Sequence, residues 1–254
     1  MPADLTRRRL LASAAALAAA PRAWALGQGS RLDVAEIMLP SNTASRPEAW
    51  RRLLFEVIQT TSIEADPDAV QLSPEDPELF AHPFSVLIGT GELPELSEVA
   101  VEQLRRYLSY GGFVLFDDAT GSPGGAFARS VNRLAARLFP TRPMSPLPGD
   151  HSIYRSFFLL DRPLGRVAVS EVLEGITIPP TTPLVMCPND LSGALDRAED
   201  GRNRYPVVPG GELQRREGLK LGINLVLYSL TSNYKHDQAH VAELMRDGKL
   251  GISQ

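Results

Sequence analysis

Short apolar segments alternate along this chain with stretches in which apolar residues recur every three or four positions. The apolar segments predict buried β-strands at Val34–Leu39, Phe84–Ile88, Phe113–Phe116 and Leu184–Cys187. The amphipathic stretches predict helices that each bury one face, the first of them beginning at Pro47. Ser97 is the candidate N-cap of the next helix. Buried strands that alternate with such helices are typical of a parallel sheet covered on both faces. We therefore predict an α/β fold with three layers and a mostly parallel sheet.

The composition limits the class of protein. The 254 residues are 43% hydrophobic and 22% charged, close to the globular average, which excludes collagen, coiled coil and wholesale disorder. A net charge of −4, with no basic block beyond the first ten residues, argues against a nucleic-acid partner. The single cysteine excludes an internal disulfide framework. With no internal repeat or second linker, residues 26–254 are predicted to form one domain with a C-terminal helical tail.

Residues 1–25 have the three parts of an export signal. Arg7–Arg9 supply a positive start, an apolar stretch of about ten residues follows, and Ala23 and Ala25 provide a small-x-small cleavage site. The paired arginines followed by x-Leu-Leu favour a twin-arginine signal, with an ordinary Sec signal as the alternative. We therefore expect a periplasmic or otherwise exported protein. Because the apolar stretch is too short to span ~30 Å of hydrocarbon, no stable transmembrane anchor is expected.

Polar residues follow each predicted strand. The carboxyl ends of parallel strands share one edge of a sheet, and ligands bind beyond that edge. Residues placed there as candidate ligand-binding groups are Glu92, Asn189, Asp190 and Ser192. An acidic edge of this kind suits a divalent cation, sugar hydroxyls or a shared proton, although no cofactor is evident from any motif. The alternative is that these residues cap helices and form turns.

Three residues are candidates for catalysis. Asp117 and Asp118 end the third predicted strand, and His151 follows Asp150 in a loop, as a base or a metal ligand would. The alternative for His151 is a surface loop residue. Neither a phosphate-binding loop nor a G-x-S-x-G motif is present in the sequence. Cys187 ends an apolar strand with no base beside it in the sequence, so we expect it to be a small buried residue.

Several separate motifs occur in order along the chain. They are Leu87–Glu92, Leu104–Leu108, Gly111–Asp118, Asp150–Tyr154, Asn189–Ser192, Leu221–Asn224 and Asn233–His240. Together they resemble the bacterial family called domain of unknown function 4159. The resemblance implies a class I glutamine amidotransferase-like fold, of the same general kind as flavodoxin-like sheets. In that fold the nucleophilic cysteine follows the strand that is here Phe113–Phe116, and this chain has Asp117 instead. The resemblance therefore implies the fold without the amidotransferase reaction.

Two functions fit these observations. The first is a non-catalytic module of the cell envelope that binds a small molecule or an envelope protein. The alternative is a hydrolase acting on cell-wall carbohydrate or a related substrate through Asp117 or Asp118 and His151. A glycosidase needs two carboxyl groups about 5–10 Å apart on either side of a groove. Because no catalytic motif is complete, the sequence favours the binding module.

Overall fold

The computed structural model describes residues 32–246, and for residues 232–246 it describes the backbone alone. The expected signal segment 1–25, with its cleavage residues Ala23 and Ala25, lies outside the described residues. Within the described part of the chain, no helix combines the length and the apolarity that crossing a membrane requires.

Eight strands form one sheet. They are β1 (Val34–Ile37), β2 (Thr43–Ala44), β3 (Val70–Leu72), β4 (Phe84–Gly89), β5 (Phe113–Asp118), β6 (Ser145–Pro146), β7 (Glu174–Ile178) and β8 (Thr181–Cys187). Their order is β3-β1-β4-β5-β8-β7-β6, with β2 paired to β4. Strands β3, β1, β4, β5 and β8 are parallel, whereas β7 runs antiparallel to β8 and β2 antiparallel to β4. The prediction of a mostly parallel sheet is confirmed.

Helices cover both faces of the sheet. They are α1 (Pro47–Thr60), α2 (Glu98–Ser109), α3 (Ala126–Leu138), α4 (Leu191–Leu195) and α5 (Gly211–Arg246). Buried residues of α1, α4 and α5 pack in one apolar cluster with one face of the sheet, and those of α2 and α3 pack in a second cluster on the other face. Three layers result, as the alternating pattern predicted.

Local chemistry explains these elements. Along β5, Phe113 and Leu115 enter one cluster while Val114 and Phe116 enter the other, because successive side chains of a strand point to opposite faces. Helix α2 begins where Ser97 Oγ accepts a hydrogen bond from the backbone N–H of Ala100 at 3.0 Å, the cap expected from the sequence.

Some boundaries differ from the sequence-based expectation. The first strand ends at Ile37 rather than Leu39, and a strand that no local pattern marks, β3, lies inside the Pro- and Asp-rich segment 66–83. The polar segment Asp196–Glu217 contains the end of a loop and the beginning of α5 at Gly211. The long loop 139–149 contains the short strand β6. The local sequence pattern does not give these boundaries, because they depend on pairing with a neighbouring strand or on packing against the sheet.

Strand β2 fills a gap beside β4. Beyond the end of β1 the chain turns and runs back along β4, pairing Thr43 with Gly89. In an open sheet of this order, the crevice between β1 and β4 is where successive connections leave in opposite directions, and such a crevice is the usual ligand site. Here Asn42, in the left-handed region at φ 59°, also bonds across it, since its carbonyl accepts from Thr90 N–H at 2.9 Å. The crevice is therefore occupied by the chain itself.

Candidate functional site

The carboxyl ends of β5 and β8 lie side by side. Their register pairs Asp117 with Cys187, so the segment that follows β8 passes next to the Asp117 side chain. Oδ1 of Asp117 accepts from the backbone N–H of Leu191 at 2.7 Å. Oδ2 accepts from the backbone N–H of Ser192 at 2.8 Å and from its hydroxyl at 2.5 Å. This fully buried carboxylate therefore fixes the first turn of α4.

Asp190 lies between two arginines. Its Oδ1 accepts from Arg46 Nη1 at 2.5 Å and from Gly193 N–H at 3.0 Å, and its Oδ2 accepts from Arg166 Nε. The same Arg46 nitrogen donates to Ser192 Oγ at 2.9 Å. Asp190 is fully buried and caps α4 from a left-handed backbone conformation at φ 54°. The expected acidic edge is therefore neutralised by two guanidinium groups.

The buried charges shift the pKa of neighbouring groups. Burial, followed by repulsion from Asp190, raises the pKa of Asp117 from 3.8 to about 6. Burial, followed by the charge of Asp117, raises the pKa of the Cys187 thiol well above its usual value. A thiol becomes nucleophilic when its pKa falls, so this environment disfavours a thiolate at Cys187. The structure thus buries Cys187, as the sequence led us to expect.

Asp118 points away from Asp117. The two residues are consecutive on β5, so their side chains lie on opposite faces of the sheet. Oδ1 of Asp118 accepts from the backbone N–H of Thr120 at 2.9 Å and from its hydroxyl at 2.6 Å, which closes a turn. Its Oδ2 is buried and has no hydrogen-bond partner among the described residues. Burial raises the pKa of Asp118.

Asn189 braces the loop that carries Arg166. Its Nδ2 donates to the carbonyl oxygens of Pro163 at 2.7 Å and of Ser170 at 2.9 Å. Its Oδ1 accepts from the backbone N–H groups of Val169 and Ser170, each at 2.9 Å. All donors and acceptors of this buried amide are therefore used inside the protein.

His151 lies at the opposite end of β8. Its Nδ1 accepts from Ile153 N–H at 3.2 Å, so Nε2 carries the hydrogen and donates to Thr182 Oγ1 at 3.0 Å. Thr182 is the second residue of β8, whereas Asp117 is beside the last residue of that strand, roughly 16 Å away at the rise of a strand. Burial lowers the pKa of His151. The structure does not bring this histidine to the aspartates.

Glu92 also lies apart from the aspartates. Its side chain is 60% exposed and forms an ion pair with Arg133 of α3. Both residues line a groove of about 630 Å³ between the segment 92–96 and α3. Of the four candidate ligand-binding residues, the structure brings Asp190 and Ser192 together with Asp117, turns the side chain of Asn189 to the loop 163–170 and places Glu92 on a different surface.

Three important residues were not anticipated from the sequence. Arg46 and Arg166 lie in loops far from Asp190 in the chain, and no local pattern marks them. The sequence does mark Glu36 as unusual, because it is a charged residue inside an apolar strand. It is buried, and its Oε1 accepts from Arg46 N–H at 2.6 Å and from Trp50 Nε1 at 2.8 Å. Glu36 thus fixes the beginning of α1 and the backbone of Arg46.

The chemistry open to this edge is limited. The Asp117 and Asp190 carboxylates each accept three internal hydrogen bonds, and the described residues place no histidine, lysine or cysteine base in hydrogen-bond contact with either. Among the same residues, no group of three or more His, Cys, Asp or Glu side chains is arranged to hold a metal ion.

Comparison with known families places most of the chain in a family model. The family model described as Domain of unknown function (DUF4159) matches residues 36–230, which is more than half of the chain. The matched range includes every strand from β2 to β8 and all the residues of the buried charge cluster. No curated protein matches the chain.

Proposed function

The chain belongs to the DUF4159 family, and we propose that it is an exported, non-catalytic binding module of the bacterial cell envelope. One observation carries the proposal. The carboxylates at the edge where a catalytic group would be expected are buried, and each is held by three internal hydrogen bonds, which for Asp190 include two ion pairs. A general acid or base must reach the proton it transfers, and these groups are engaged in holding α4 and two arginines.

The proposal includes a glutamine amidotransferase-like fold without the reaction. The order β3-β1-β4-β5-β8 is the 2-1-3-4-5 order of flavodoxin-like sheets, which supports that kind of fold. Asp117 stands where the family resemblance would place a nucleophilic cysteine, and its oxygens bind the backbone of α4. The chain's own cysteine, Cys187, is buried on the next strand.

The hydrolase alternative receives no support from the geometry. Asp117 and His151 lie at opposite ends of β8, and Asp118 faces the other side of the sheet from Asp117. A pair of carboxyl groups flanking a substrate groove is the arrangement that glycoside hydrolysis needs. The two carboxyls that do approach one another, Asp117 and Asp190, are both fully buried.

The groove beside α3 is the surface we propose for binding. Its floor is apolar, since Leu93, Leu96 and Leu134 line it, and its rim carries the ion pair of Glu92 and Arg133. A volume of about 630 Å³ lies in the range of small-molecule sites. An apolar floor with one charged pair suits a ligand that has both an apolar group and a polar or charged group.

A thermal-shift experiment tests this proposal with soluble peptidoglycan fragments as the probe. Binding to the native state should raise the melting temperature, because a ligand at a hundredfold excess over its Kd adds about 2.7 kcal/mol of stability. The substitution Arg133→Glu should abolish the shift by removing the rim charge. The matched control is Arg129→Glu, one turn earlier on α3 and outside the groove lining. Release of sugar or peptide products would instead establish a hydrolase, and an absence of any shift would refute binding of this probe.

Export by the twin-arginine route is a separate expectation. Replacing Arg7 and Arg8 together by lysine should cause uncleaved precursor to accumulate in the cytoplasm, because the twin-arginine motif loses its defining pair. Fractionation with immunoblotting measures the precursor, and sequencing of the exported protein should give Leu26 as the first residue. Normal export of the double variant would leave only the Sec route.

A further inference from the structure

One wall of the groove beside α3 is an irregular stretch of chain held at both ends. The segment 92–96 contains neither helix nor strand. Near its beginning, the Leu93 N–H donates to Ser130 Oγ at 3.0 Å. At its end, Arg137 Nη1 donates to the carbonyl oxygen of Leu96 at 2.9 Å. Both Ser130 and Arg137 belong to α3, so this helix fixes the segment alongside itself.

Between these two anchors the backbone of the segment is unpaired. Among the described residues, no hydrogen bond engages the N–H groups of Glu95 and Leu96 or the carbonyl oxygens of Leu93 and Pro94. Backbone groups that find no partner within a protein bind water or a ligand. A fixed stretch of chain with free donors and acceptors is the kind of edge to which an extended peptide adds its own backbone.

The charges along the groove do not balance. Glu92 pairs with Arg133, and Arg137 pairs with Glu98 at 2.7 Å. Glu95 also lines the groove and is exposed, and its carboxylate forms no ion pair or hydrogen bond within the described part of the chain. The groove therefore presents one carboxylate without a counter-charge, which suits an amino group on the ligand.

The apolar part of the groove is aliphatic. Leu93, Leu96 and Leu134 supply its floor. Among the described residues that line the groove, none is aromatic, so a sugar ring finds no aromatic side chain on which to pack. An aliphatic side chain of a ligand buries apolar surface here as it would in any hydrophobic core.

We propose that the groove beside α3 binds an extended peptide that carries a free amino group. An apolar side chain of the peptide lies on the leucine floor, its backbone pairs with the free groups of Glu95 and Leu96, and its amino group lies beside the Glu95 carboxylate. This inference rests on the proposed function and specifies its ligand. In a peptidoglycan fragment, the groove takes the peptide part and not the glycan.

Calorimetric titration of the whole protein tests the ligand class with the synthetic peptide acetyl-Ala-Leu-Lys-Ala as the probe. Acetylating the lysine amino group of the probe, or introducing Glu95→Gln in the protein, should weaken binding roughly fivefold, the effect of one solvent-exposed ion pair. Replacing the leucine of the probe by serine should weaken binding roughly tenfold. The matched control is Glu78→Gln, at an exposed carboxylate outside the groove lining, and it should leave the affinity unchanged.

Amide hydrogen exchange tests the backbone pairing independently. The bound probe should slow exchange at the Glu95 and Leu96 amides, which have no acceptor within the described residues. The Leu87 amide, which lies in β4 away from the groove, serves as the internal reference and should not change. Chitotetraose, a glycan without peptide, should neither bind nor slow exchange at these amides.

The remaining outcomes would overturn the peptide inference. These are no binding of the probe, equal binding of the acetylated probe, an unchanged affinity in Glu95→Gln, or protection of the same amides by chitotetraose. If intact peptidoglycan fragments still raise the melting temperature and Arg133→Glu still removes that shift, the proposed function stands and the peptide inference alone is wrong. If neither the fragments nor the probe bind, both are wrong.

Discussion

Replacing Asp190 by alanine is expected to lower the free energy of unfolding by about 3–5 kcal/mol, the cost of removing one partner from a buried ion pair. Arg46 and Arg166, with side chains 10% and 24% exposed, would lose their shared carboxylate. The N–H of Gly193 would lose its capping acceptor. Alanine would also have to adopt the left-handed backbone conformation that aspartate tolerates better. Urea unfolding at pH 7 measures the loss.

A surface ion pair provides the matched control for Asp190→Ala. Asp68 pairs with Arg51 at 2.9 Å, and the Asp68 side chain is 74% exposed. Because solvent screens exposed pairs, Asp68→Ala should cost less than about 1 kcal/mol. If the two substitutions had equal effects, the cluster around Asp190 could not be the main brace of the β8–α4 junction.

Replacing Gly165 by alanine is expected to cost about 3 kcal/mol, the upper part of the usual range for overpacking. A Cβ atom there would lie 2.1 Å from the carbonyl oxygen of Asn189. The obstacle is backbone, and it cannot move freely, because Val167 N–H donates to that same oxygen at 3.2 Å and Arg166 N–H donates to Asp190 O at 2.9 Å. The same urea titration measures the effect, together with loss of protection at these two amides.

Gly149→Ala is the control for the glycine prediction. A Cβ atom at Gly149 meets no other atom within 4 Å, and its backbone is not in the left-handed region. Its substitution should change the unfolding free energy by less than about 1 kcal/mol, with a small gain from the stiffer unfolded chain. A large loss at Gly149, or none at Gly165, would contradict the steric explanation.

The fold was predictable where local patterns and burial agree. The apolar segments at Phe84–Ile88, Phe113–Phe116 and Leu184–Cys187 are strands, and the capping role of Ser97 is confirmed. The short strands β2, β3 and β6 could not be predicted, because two or three residues carry no measurable periodicity. Their conformation depends on the neighbouring strand with which each pairs.

The site was predictable only in part. The rule that parallel strands share a carboxyl edge correctly places Asp117 beside Asp190 and Ser192. The same rule cannot place Arg46, whose contact with Asp190 spans 144 residues of sequence. The rule also groups Asp117 with Asp118, although consecutive side chains of a strand point to opposite faces of the sheet. The roles of His151 and Glu92 stay predictions, and neither contacts the aspartate cluster.

Strand β2 has a consequence for how this scaffold can change. The peptide groups of Ile88 and Gly89 already bind those of Ala44 and Thr43, in the place where sheets of this order usually admit a cofactor. A ligand could therefore reach this part of the sheet edge only by displacing β2 from its pairing with β4. Shortening the segment 39–45 would expose the backbone N–H and C=O groups of Ile88 and Gly89, and these unpaired groups would then be available to bind polar atoms of a ligand.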